Sequence, residues 1–308
     1  RADRPVLVQV PRRGHLPALA CGGCRVGARC PRCAGPLAVP TPGAGPACRW
    51  CGELATDWRC AACGHSRLRA VVVGAERTAD ELGRAFPGVP VRVVTGSAAA
   101  RGETVRDPRR TVPSRPTLVV ATPGAEPLAD GGYGAGVLLD GWVTLARPSL
   151  RAAEEAVRRW LAAAALVRPD GTVLLVADGA LPPVQAVVRW APEWFARREL
   201  DERTRLLLPP ASVFAEVCGP TDALRAFVDV WQLPAEVELF GPVDVGGDGG
   251  DAGAPPGEAM TQTQRLLLRA PRKDAAELAD SLATAYRILS ARKLASGLRL
   301  RIDPIDGL

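Results

Sequence analysis

The stretch that decides the fold is rich in cysteine: residues 21–33 read CGGCRVGARCPRC and residues 48–63 read CRWCGELATDWRCAAC. Eight of the nine cysteines of this 308-residue chain lie here, in four Cys-x-x-Cys pairs separated by connectors of five, fourteen and eight residues. A Cys-x-x-Cys turn directs two thiolates at one point, and two such turns supply a tetrahedral shell of four sulfurs. The spacing therefore predicts a module with two four-cysteine metal sites.

Zinc is the metal that this arrangement favours, since it prefers a closed tetrahedral sulfur shell in structural sites. Protein sulfurs fill every position and leave no place for an activated water, so we expect two structural zinc ions and no catalytic one. Gly52 and Gly64 directly follow their pairs, and Pro31 lies inside another pair. These residues suit a tight knuckle turn in which backbone N–H groups approach sulfur.

Three other interpretations of the cysteines remain open. A disulfide framework would require an oxidising compartment, and we see no secretory leader. An iron–sulfur cluster also takes four cysteines, but its spacings usually bunch three of them closely. A redox dithiol would need one pair beside a βαβ unit rather than four pairs in succession.

The connector lengths indicate which pairs share an ion. The fourteen residues between Cys33 and Cys48 are enough for a β-hairpin, whereas the five between Cys24 and Cys30 are too few. We therefore expect a nested arrangement, in which the outer pairs form one site and the inner pairs the other. The predicted ligands are Cys21, Cys24, Cys60 and Cys63 for the first zinc, and Cys30, Cys33, Cys48 and Cys51 for the second.

The ninth cysteine and the two histidines are not expected to bind metal. Cys218 stands alone in an apolar stretch, which is typical of a buried core thiol. His15 and His65 lie near the pairs. Because the cysteines already satisfy both ions, we expect His65 to be a bystander.

Size and composition predict a folded protein of more than one domain. Apolar residues make up 47% of the chain and charged residues 23%, which is ordinary for a globular protein. No apolar run approaches the roughly 20 residues that cross a bilayer. The chain opens with Arg1 and shows no basic-then-apolar leader, so we expect part of a longer polypeptide located in the cytoplasm.

Positive charge is concentrated at the start of the chain. Residues 1–69 contain eleven arginines against three acidic residues, a net charge of +8, whereas the whole chain carries +6. Such a field attracts polyanions, nucleic acid among them. The alternative is that these arginines only keep a small domain soluble.

The remainder of the chain has the pattern of an α/β protein. Strands are predicted at residues 7–10, 70–73, 89–94, 117–121, 137–139 and 173–177, helices at 78–86 and 150–167, and a loop at 106–115. This alternation predicts a mostly parallel sheet covered by helices on both faces, with the zinc module as an insertion.

A second unit is predicted after the Pro209-Pro210 dipeptide. Strands at residues 213–218, 238–240, 264–269 and 299–302 alternate with helices at 221–232 and 275–292, and a Gly/Asp/Pro-rich loop covers 246–257. The predicted domains are residues 1–20 with 66–208, the zinc insertion 21–65, and a small α/β domain 209–308.

The sequence contains no recognisable catalytic or nucleotide-binding motif. The phosphate-binding pattern G-x-x-x-x-G-K-[ST] is absent, since neither lysine follows a glycine. No metal-hydrolase motif or Ser/His/Asp set was found. We therefore assign no catalytic or cofactor-binding residues, and we do not expect this chain alone to hydrolyse ATP.

Several motifs resemble those of the primosomal protein N′ (PriA) family over nearly the whole chain. Besides the eight cysteines they are Gly74-Ala75-Glu76-Arg77, Phe86-Pro87-Gly88-Val89-Pro90, Leu208-Pro209-Pro210, Gly241-Pro242-Val243 and Asp303-Pro304-Ile305-Asp306-Gly307. The resemblance implies a RecA-like second helicase lobe with the two-zinc insertion, followed by a domain with a ribosomal S10-like fold. It also implies branched and single-stranded DNA, primosome components, the replicative helicase loader and single-strand-binding protein as partners, in the nucleoid region of the cytoplasm.

Two segments depart from the family pattern. Active members carry Gly-Thr-Gln-Met with a downstream Lys-Gly, where this chain reads Ala121-Thr122-Pro123-Gly124-Ala125-Glu126. The family segment Gln-x-x-Gly-Arg-x-Gly-Arg, whose arginine contacts the transferred phosphate, falls here on residues 162–168, where Leu166 cannot replace an arginine. Arg168 is the only candidate nearby, and Pro169 follows it.

These departures favour a replication restart factor that binds stalled or branched forks and helps assemble the primosome without unwinding DNA. One alternative is an ATP-dependent 3′–5′ DNA helicase whose first lobe lies upstream of this chain. Another is a zinc-ribbon adaptor that never contacts DNA, against which the basic first 69 residues are the main argument.

Overall fold

The computed structural model describes residues 4–11, 18–39, 44–71, 74–96, 111–147, 149–244 and 263–304. The chain forms two compact units, Arg1–Phe195 and Ala196–Leu308. The predicted domain bounds, with their division between residues 208 and 209, stay a prediction. In the part of the chain that the structure describes, none of the helices combines the length and the apolar character that a bilayer crossing requires.

The first unit contains a parallel sheet and a smaller antiparallel one. Its elements are β1 (Val6–Gln9), β2 (Ala18–Cys21), β3 (Leu37–Ala38), β4 (Ala47–Cys48), β5 (Leu68–Val71), α1 (Ala75–Ala85), β6 (Val91–Val94), β7 (Leu118–Ala121), β8 (Tyr133–Leu138), α2 (Gly141–Leu145), α3 (Ala152–Ala164), β9 (Val167–Leu175), α4 (Pro182–Val188) and the start of α5 (Pro192–Arg205). The large sheet has the order β6–β7–β1–β8–β9 with parallel neighbours throughout. The prediction of an α/β protein with a parallel sheet is confirmed.

Helices cover both faces of the parallel sheet, because successive side chains of its strands point to opposite sides. On one face Leu7 and Val119 pack with Trp160 of α3, which is 2% exposed. On the other face Val8 and Val120 pack with Ala79 of α1 and its neighbours. The predicted cover on two faces is thus confirmed.

The strand predicted at residues 70–73 was assigned to the wrong sheet. The observed strand, β5, begins at Leu68 and pairs antiparallel with β2, so that Cys21 lies opposite Leu68. A short apolar run does not reveal its partner, and here the partner is set by the need to bring the ends of the cysteine module together. Residues 72 and 73 lie outside the described residues.

Other differences concern the ends and the existence of elements. The helix predicted to reach residue 167 ends at Ala164, and β9 then begins at Val167. Pro169 disfavours the α region only at Arg168, and the chain leaves the helix earlier because Val167 pairs with Tyr133 in the parallel sheet. Helices α2, α4 and α5 were not predicted at all. The predicted loop 246–257 and the first half of the loop 106–115, residues 106–110, lie outside the described ranges.

The second unit is an antiparallel sheet with two helices on one face. Its elements after α5 are β10 (Ser212–Pro220), α6 (Thr221–Val230), β11 (Glu238–Asp244), β12 (Thr263–Pro271), α7 (Ala275–Ala291) and β13 (Arg299–Ile302). The strand order is β11–β12–β10–β13. Each of these six elements overlaps a predicted element of the same type. Val217, Leu268, Phe227 and Leu282 are among its buried core residues.

Candidate metal centre

The four Cys-x-x-Cys pairs adopt one common turn, which we call a knuckle. In each knuckle the first cysteine donates its backbone N–H to the carbonyl five residues ahead, at 2.7–2.9 Å. The residue four positions ahead donates back to the carbonyl of that cysteine, at 2.8–3.1 Å. The first cysteines are Cys21, Cys30, Cys48 and Cys60. Each knuckle is therefore closed by its own backbone bonds.

The position directly after each second cysteine has a left-handed backbone. Gly52 and Gly64 occupy it in the third and fourth knuckles with φ of 75° and 73°. Arg25 and Ala34 adopt the same conformation in the first two, with φ of 67° and 57°. Such a φ favours glycine because it has no Cβ. The sequence pointed to the two glycines, but it did not show that a left-handed backbone is required at all four positions.

Backbone N–H groups also point at sulfur. The amides of Gly23, Arg32 and Trp50 approach the Sγ atoms of Cys21, Cys30 and Cys48, two residues before each of them, at 3.3–3.4 Å. A hydrogen bond to a thiolate stabilises its charged form. The turn thus prepares the first sulfur of these knuckles to act as a metal ligand.

Strand pairing brings the knuckles together in two groups. The first and last knuckles meet because β2 and β5 pair, and Gly22 donates to the carbonyl of Arg67 at 2.8 Å. The middle knuckles meet because β3 and β4 form a hairpin in which Leu37 lies opposite Cys48. The structure therefore groups the cysteines in the two sets that the nested arrangement predicts.

The distances between sulfurs fit a tetrahedral metal site. Cys21 to Cys63 and Cys24 to Cys60 are both 3.5 Å between Sγ atoms, and the second group spans 3.4–3.8 Å. The edge of a tetrahedron with zinc–sulfur bonds of about 2.3 Å is about 3.8 Å. A disulfide would require about 2.05 Å, and all nine cysteines are free. Two groups of four cysteines are thus positioned to hold metal ions.

In the first group, each thiol shifts the pKa of its neighbours. Burial raises the pKa of the Cys21 thiol, but hydrogen bonds from the backbone of Cys24 and Gly23 and from neighbouring thiols bring it to about 6. For Cys24 the backbone N–H of Val26 lowers the pKa, while the Cys63 sulfur, burial and the remaining thiols raise it to about 12. One thiol ionises readily, and its negative charge then opposes ionisation of the next.

The second group shows the same opposition, with a pKa of about 7 for Cys48 and about 12 for Cys33. Four sulfurs cannot all carry charge at this separation without a cation between them. A divalent metal would stabilise all four thiolates and release protons, so its binding must weaken as the pH falls.

A small apolar cluster supports the cysteines from within. Trp58 is 7% exposed, packs with Leu19 and Leu37 among others, and donates its indole N–H to the carbonyl of Arg29 at 2.9 Å. The remaining members are cysteines and alanines. Sequence reasoning missed Trp58, although it is the one aromatic residue in the eight-residue connector between the third and fourth pairs.

One tryptophan of the first unit packs on the cysteine module. A Cβ added at Gly27 would lie 2.9 Å from Cε3 of Trp142, so the indole rests directly on the backbone of the connector between the first two knuckles. Trp142 belongs to α2, at the carboxyl end of β8. This contact helps to orient the module on the parallel sheet.

The segment at residues 121–126 lies at the carboxyl edge of the parallel sheet, where open α/β sheets commonly bind ligands. Here its polar side chains accept hydrogen bonds from other groups of the protein. Gln9 at the end of β1 is 3% exposed and donates to Glu126 at 2.6 Å. Glu126 also accepts from the backbone of Gly124 at 2.8 Å, and Thr122 accepts from the backbone of Gly96 at 3.1 Å.

Residues 162–168 close α3 and enter β9. Ala163 is 1% exposed in the core of the first unit, and Leu166 packs against the same core. Arg168 forms an ion pair with Asp170 at 3.1 Å. This segment is therefore built mainly from packing side chains.

Cys218 and His65 lie outside the two four-cysteine groups. Cys218 is half-buried and faces away from the core that Val217 joins, so the prediction of a buried core thiol is wrong. The alternation of β10 places it on the other side of the sheet. The His65 ring lies against Gly23, and the carbonyl of His65 closes the fourth knuckle. His15 lies outside the described residues.

Comparison with known proteins identifies relatives over the whole chain. The family described as primosomal protein N C-terminal domain matches residues 204–305. Replication restart protein PriA of Mycobacterium leprae is 49% identical over 311 aligned residues, which cover 99% of this chain and 46% of that protein.

The namesake from Mycobacterium tuberculosis strain H37Rv is 47% identical over 320 residues, 99% of this chain and 47% of its own length. The chain thus spans about half the length of the curated relatives it matches. Identity at this level along the whole chain shows that it belongs to the replication restart protein PriA family.

Proposed function

We propose that this chain is part of a replication restart protein that binds DNA at stalled or branched forks and helps to assemble the primosome there. The observation that carries the proposal is the identity of 47–49% over 99% of the chain with relatives that bear the name of replication restart proteins. The partners we propose are branched and single-stranded DNA, primosome components, the replicative helicase loader and single-strand-binding protein, at the nucleoid in the cytoplasm.

The proposed parts follow the family resemblance. The parallel sheet with its helices would be a RecA-like second helicase lobe, residues 1–20 and 66–208. The cysteine module, residues 21–65, would be its zinc-binding insertion, and residues 209–308 would have an S10-like fold. The helices on both faces of the sheet and the two helices on one face of the second sheet are consistent with this assignment.

Two zinc ions would have a structural role. The proposed ligands are Cys21, Cys24, Cys60 and Cys63 for one ion, and Cys30, Cys33, Cys48 and Cys51 for the other. When bound, each ion supplies the cross-link that a small apolar cluster lacks. Four sulfurs per site within coordination range support this role, and a filled shell leaves no open position for substrate.

Bound zinc would also lower the positive charge with which the cysteine module attracts DNA. Residues 18–71 contain seven arginines and two acidic residues, a formal charge of +5. A zinc ion with four thiolates carries −2, so two occupied sites bring the module to about +1. The net charge of the occupied module is therefore a weak attraction for DNA, and the strongest contacts are expected where arginines gather without such compensation.

We further propose that this protein does not unwind DNA. By the family resemblance Leu166 stands where a phosphate-contacting arginine is expected, Arg168 pairs with Asp170, and Gln9 pairs with Glu126 at the carboxyl edge of the sheet. The alternative, an ATP-dependent 3′–5′ helicase with its first lobe upstream, would need a functional arginine from elsewhere.

The test uses the purified full-length protein in three measurements: zinc content, affinity for fork DNA, and ATP hydrolysis with and without that DNA. We expect close to two zinc ions per chain, specific fork binding and no DNA-stimulated hydrolysis. Robust stimulated hydrolysis would favour the helicase. Two zinc ions without any affinity for DNA would favour an adaptor, and absence of zinc would contradict the metal sites.

A further inference from the structure

The sheet of the second unit has one open face. Helices α6 and α7 bury the side that carries Val213, Ala215 and Val217 of β10, together with Leu266 and Leu268 of β12. The side chains between these residues point the other way, because strand neighbours alternate. At the start of β10 this face is covered, since Ser212 and Phe214 are 2% and 5% exposed, whereas Glu216 and Cys218 further along the strand are half-buried.

The register arranges the open face in two rows across all four strands. Adjacent residues in each row lie directly opposite one another in neighbouring strands. The first row is Phe240, Leu267, Glu216 and Arg301. The second row is Val243, Arg265, Cys218 and Arg299. We call these eight residues the open face.

Charge and apolar surface are separated along the rows. The β11 end carries Phe240 and Val243, which are 43% and 58% exposed. The other end carries the exposed Arg299 and Arg301 of β13. Strands are about 4.8 Å apart, so the apolar and basic ends of one row lie about 14 Å apart.

Arginine charge converges on the middle of the second row. Burial raises the pKa of the Cys218 thiol most, and the charge of Glu216 raises it further. The charges of Arg299, Arg265 and Arg301 each lower it, so all three guanidinium groups lie close enough to act on this thiol. Three arginines against Glu216 leave the open face positive.

The aromatic side chain at the other end is held in place. The guanidinium of Arg269 lies 5.4 Å from the centre of the Phe240 ring, and Arg269 also forms an ion pair with Glu238 across the same two strands. A ring that is fixed by a neighbouring cation and still partly exposed loses little conformational freedom when it binds a flat ligand.

From this arrangement we propose that the open face binds an unpaired strand of nucleic acid, with a base stacked on Phe240 and phosphates bound by Arg265, Arg299 and Arg301. The proposal rests on the DNA-binding role proposed above and gives that role a surface. Four-stranded sheets that recognise RNA stack two or three bases on aromatic side chains, and among the eight open-face residues Phe240 offers one such position. A duplex fits less well, since its bases are already stacked and would leave Phe240 without a partner.

The test measures binding of fluorescent oligo-dT and of a blunt duplex to the full-length protein by anisotropy, over a range of salt concentrations. The double variant Arg299→Gln/Arg301→Gln removes two phosphate contacts, so the slope of log affinity against log salt should become shallower by about 1.4 for oligo-dT. Phe240→Ala should weaken binding about tenfold with the slope unchanged, since stacking involves no counterions.

Matched controls lie on α7, which packs on the opposite face of the sheet. Arg287→Gln/Arg292→Gln removes two exposed arginines, one on α7 and one at the cap of its carboxyl end, and Tyr286→Ala removes an aromatic ring that is 37% exposed. Neither should change the affinity for oligo-dT or its salt slope. Zinc content should be equal in all variants, which tests that the cysteine module is intact.

The outcomes separate this inference from the proposed function. If the unaltered protein binds oligo-dT or fork DNA and the open-face variants bind equally well, the inference is wrong while the restart role stands. An acidic protein segment would then be the better occupant of this face. If the unaltered protein binds no DNA, the proposed function itself fails. Equal losses in the α7 controls would also overturn the inference.

Discussion

The cysteine module and the second unit are both built on four-stranded antiparallel sheets, but their interiors differ. The module encloses cysteines and alanines with few large side chains, among them Trp58. The second unit buries a continuous set of leucines with Phe227 and Trp231. Buried apolar area contributes about 25 cal/mol per Å², so the second unit can be stable by packing alone. The module requires cross-links, and this contrast predicts opposite responses to metal removal and to core truncation.

Metal removal should have the largest effect, and only on the module. Structural zinc has an apparent binding free energy of about 10–16 kcal/mol, and that energy is folding free energy. A chelator, or Cys30→Ser, should abolish hydrogen-exchange protection across residues 18–71 and leave residues 212–244 and 263–302 protected. Cys218→Ser is the matched control and should retain both zinc ions. Loss of protection in both regions would show that the second unit also depends on the metal.

Core truncation should do the reverse. Phe227 is fully buried, with its ring 5.7 Å from that of Trp231, so Phe227→Ala should cost about 3–5 kcal/mol of unfolding free energy. Urea denaturation measures this cost, and zinc content should not change. The exposed Tyr286→Ala should cost about 0.5 kcal/mol or less. A loss of zinc in Phe227→Ala would contradict the separation of the two interiors.

Placement of the module on the parallel sheet can be tested at Gly27. Valine there would push into the Trp142 indole and should cost about 1–3 kcal/mol, as other overpacked sites do. We expect faster hydrogen exchange in both the module and α2. Gly45 has no atom within 4 Å of an added Cβ, so Gly45→Val should change neither. Equal behaviour of the two variants would mean that the Trp142 contact contributes nothing to the placement.

The smallest expected effects concern the left-handed position of the knuckles. Ala34→Gly should relieve about 1 kcal/mol of backbone strain, and zinc should then resist a competing chelator about fivefold better. Gly52→Ala should produce a similar change in the opposite direction, because φ is 75° there and nothing else lies near its Cβ. If both substitutions lower zinc retention, the side chain of Ala34 must stabilise the turn in another way.

Much of the candidate metal centre could be predicted because its chemistry is local. Cysteine spacing limits which thiols can meet, and connector length indicates the nested grouping that the structure shows. Occupancy by zinc itself stays a prediction. The left-handed backbone at Arg25 and Ala34 could not be predicted, because neither residue type prefers it and the knuckle imposes it. The contact between Gly27 and Trp142 joins residues far apart in sequence, so no local sequence pattern predicts it.

The elements of the second unit were predictable for a different reason. Three of its four strands span seven to nine residues, each helix has a periodic apolar face, and local preference agrees with the final packing. Helix α5 was missed because its residues are mostly charged and show no apolar period, although Phe195 is buried. The strand that became β5 was misplaced because its apolar character suits either sheet, and only pairing with β2 decides between them.

By itself, the sequence determined the α/β class, the eight paired thiols and the family resemblance, since these depend on residue type and spacing along the chain. Only the tertiary structure decided the strand order, the half-buried position of Cys218 and the alignment of Phe240 with Arg301 across four strands. Strand register is the physical reason, because a shift of one residue would turn every one of these side chains to the opposite face.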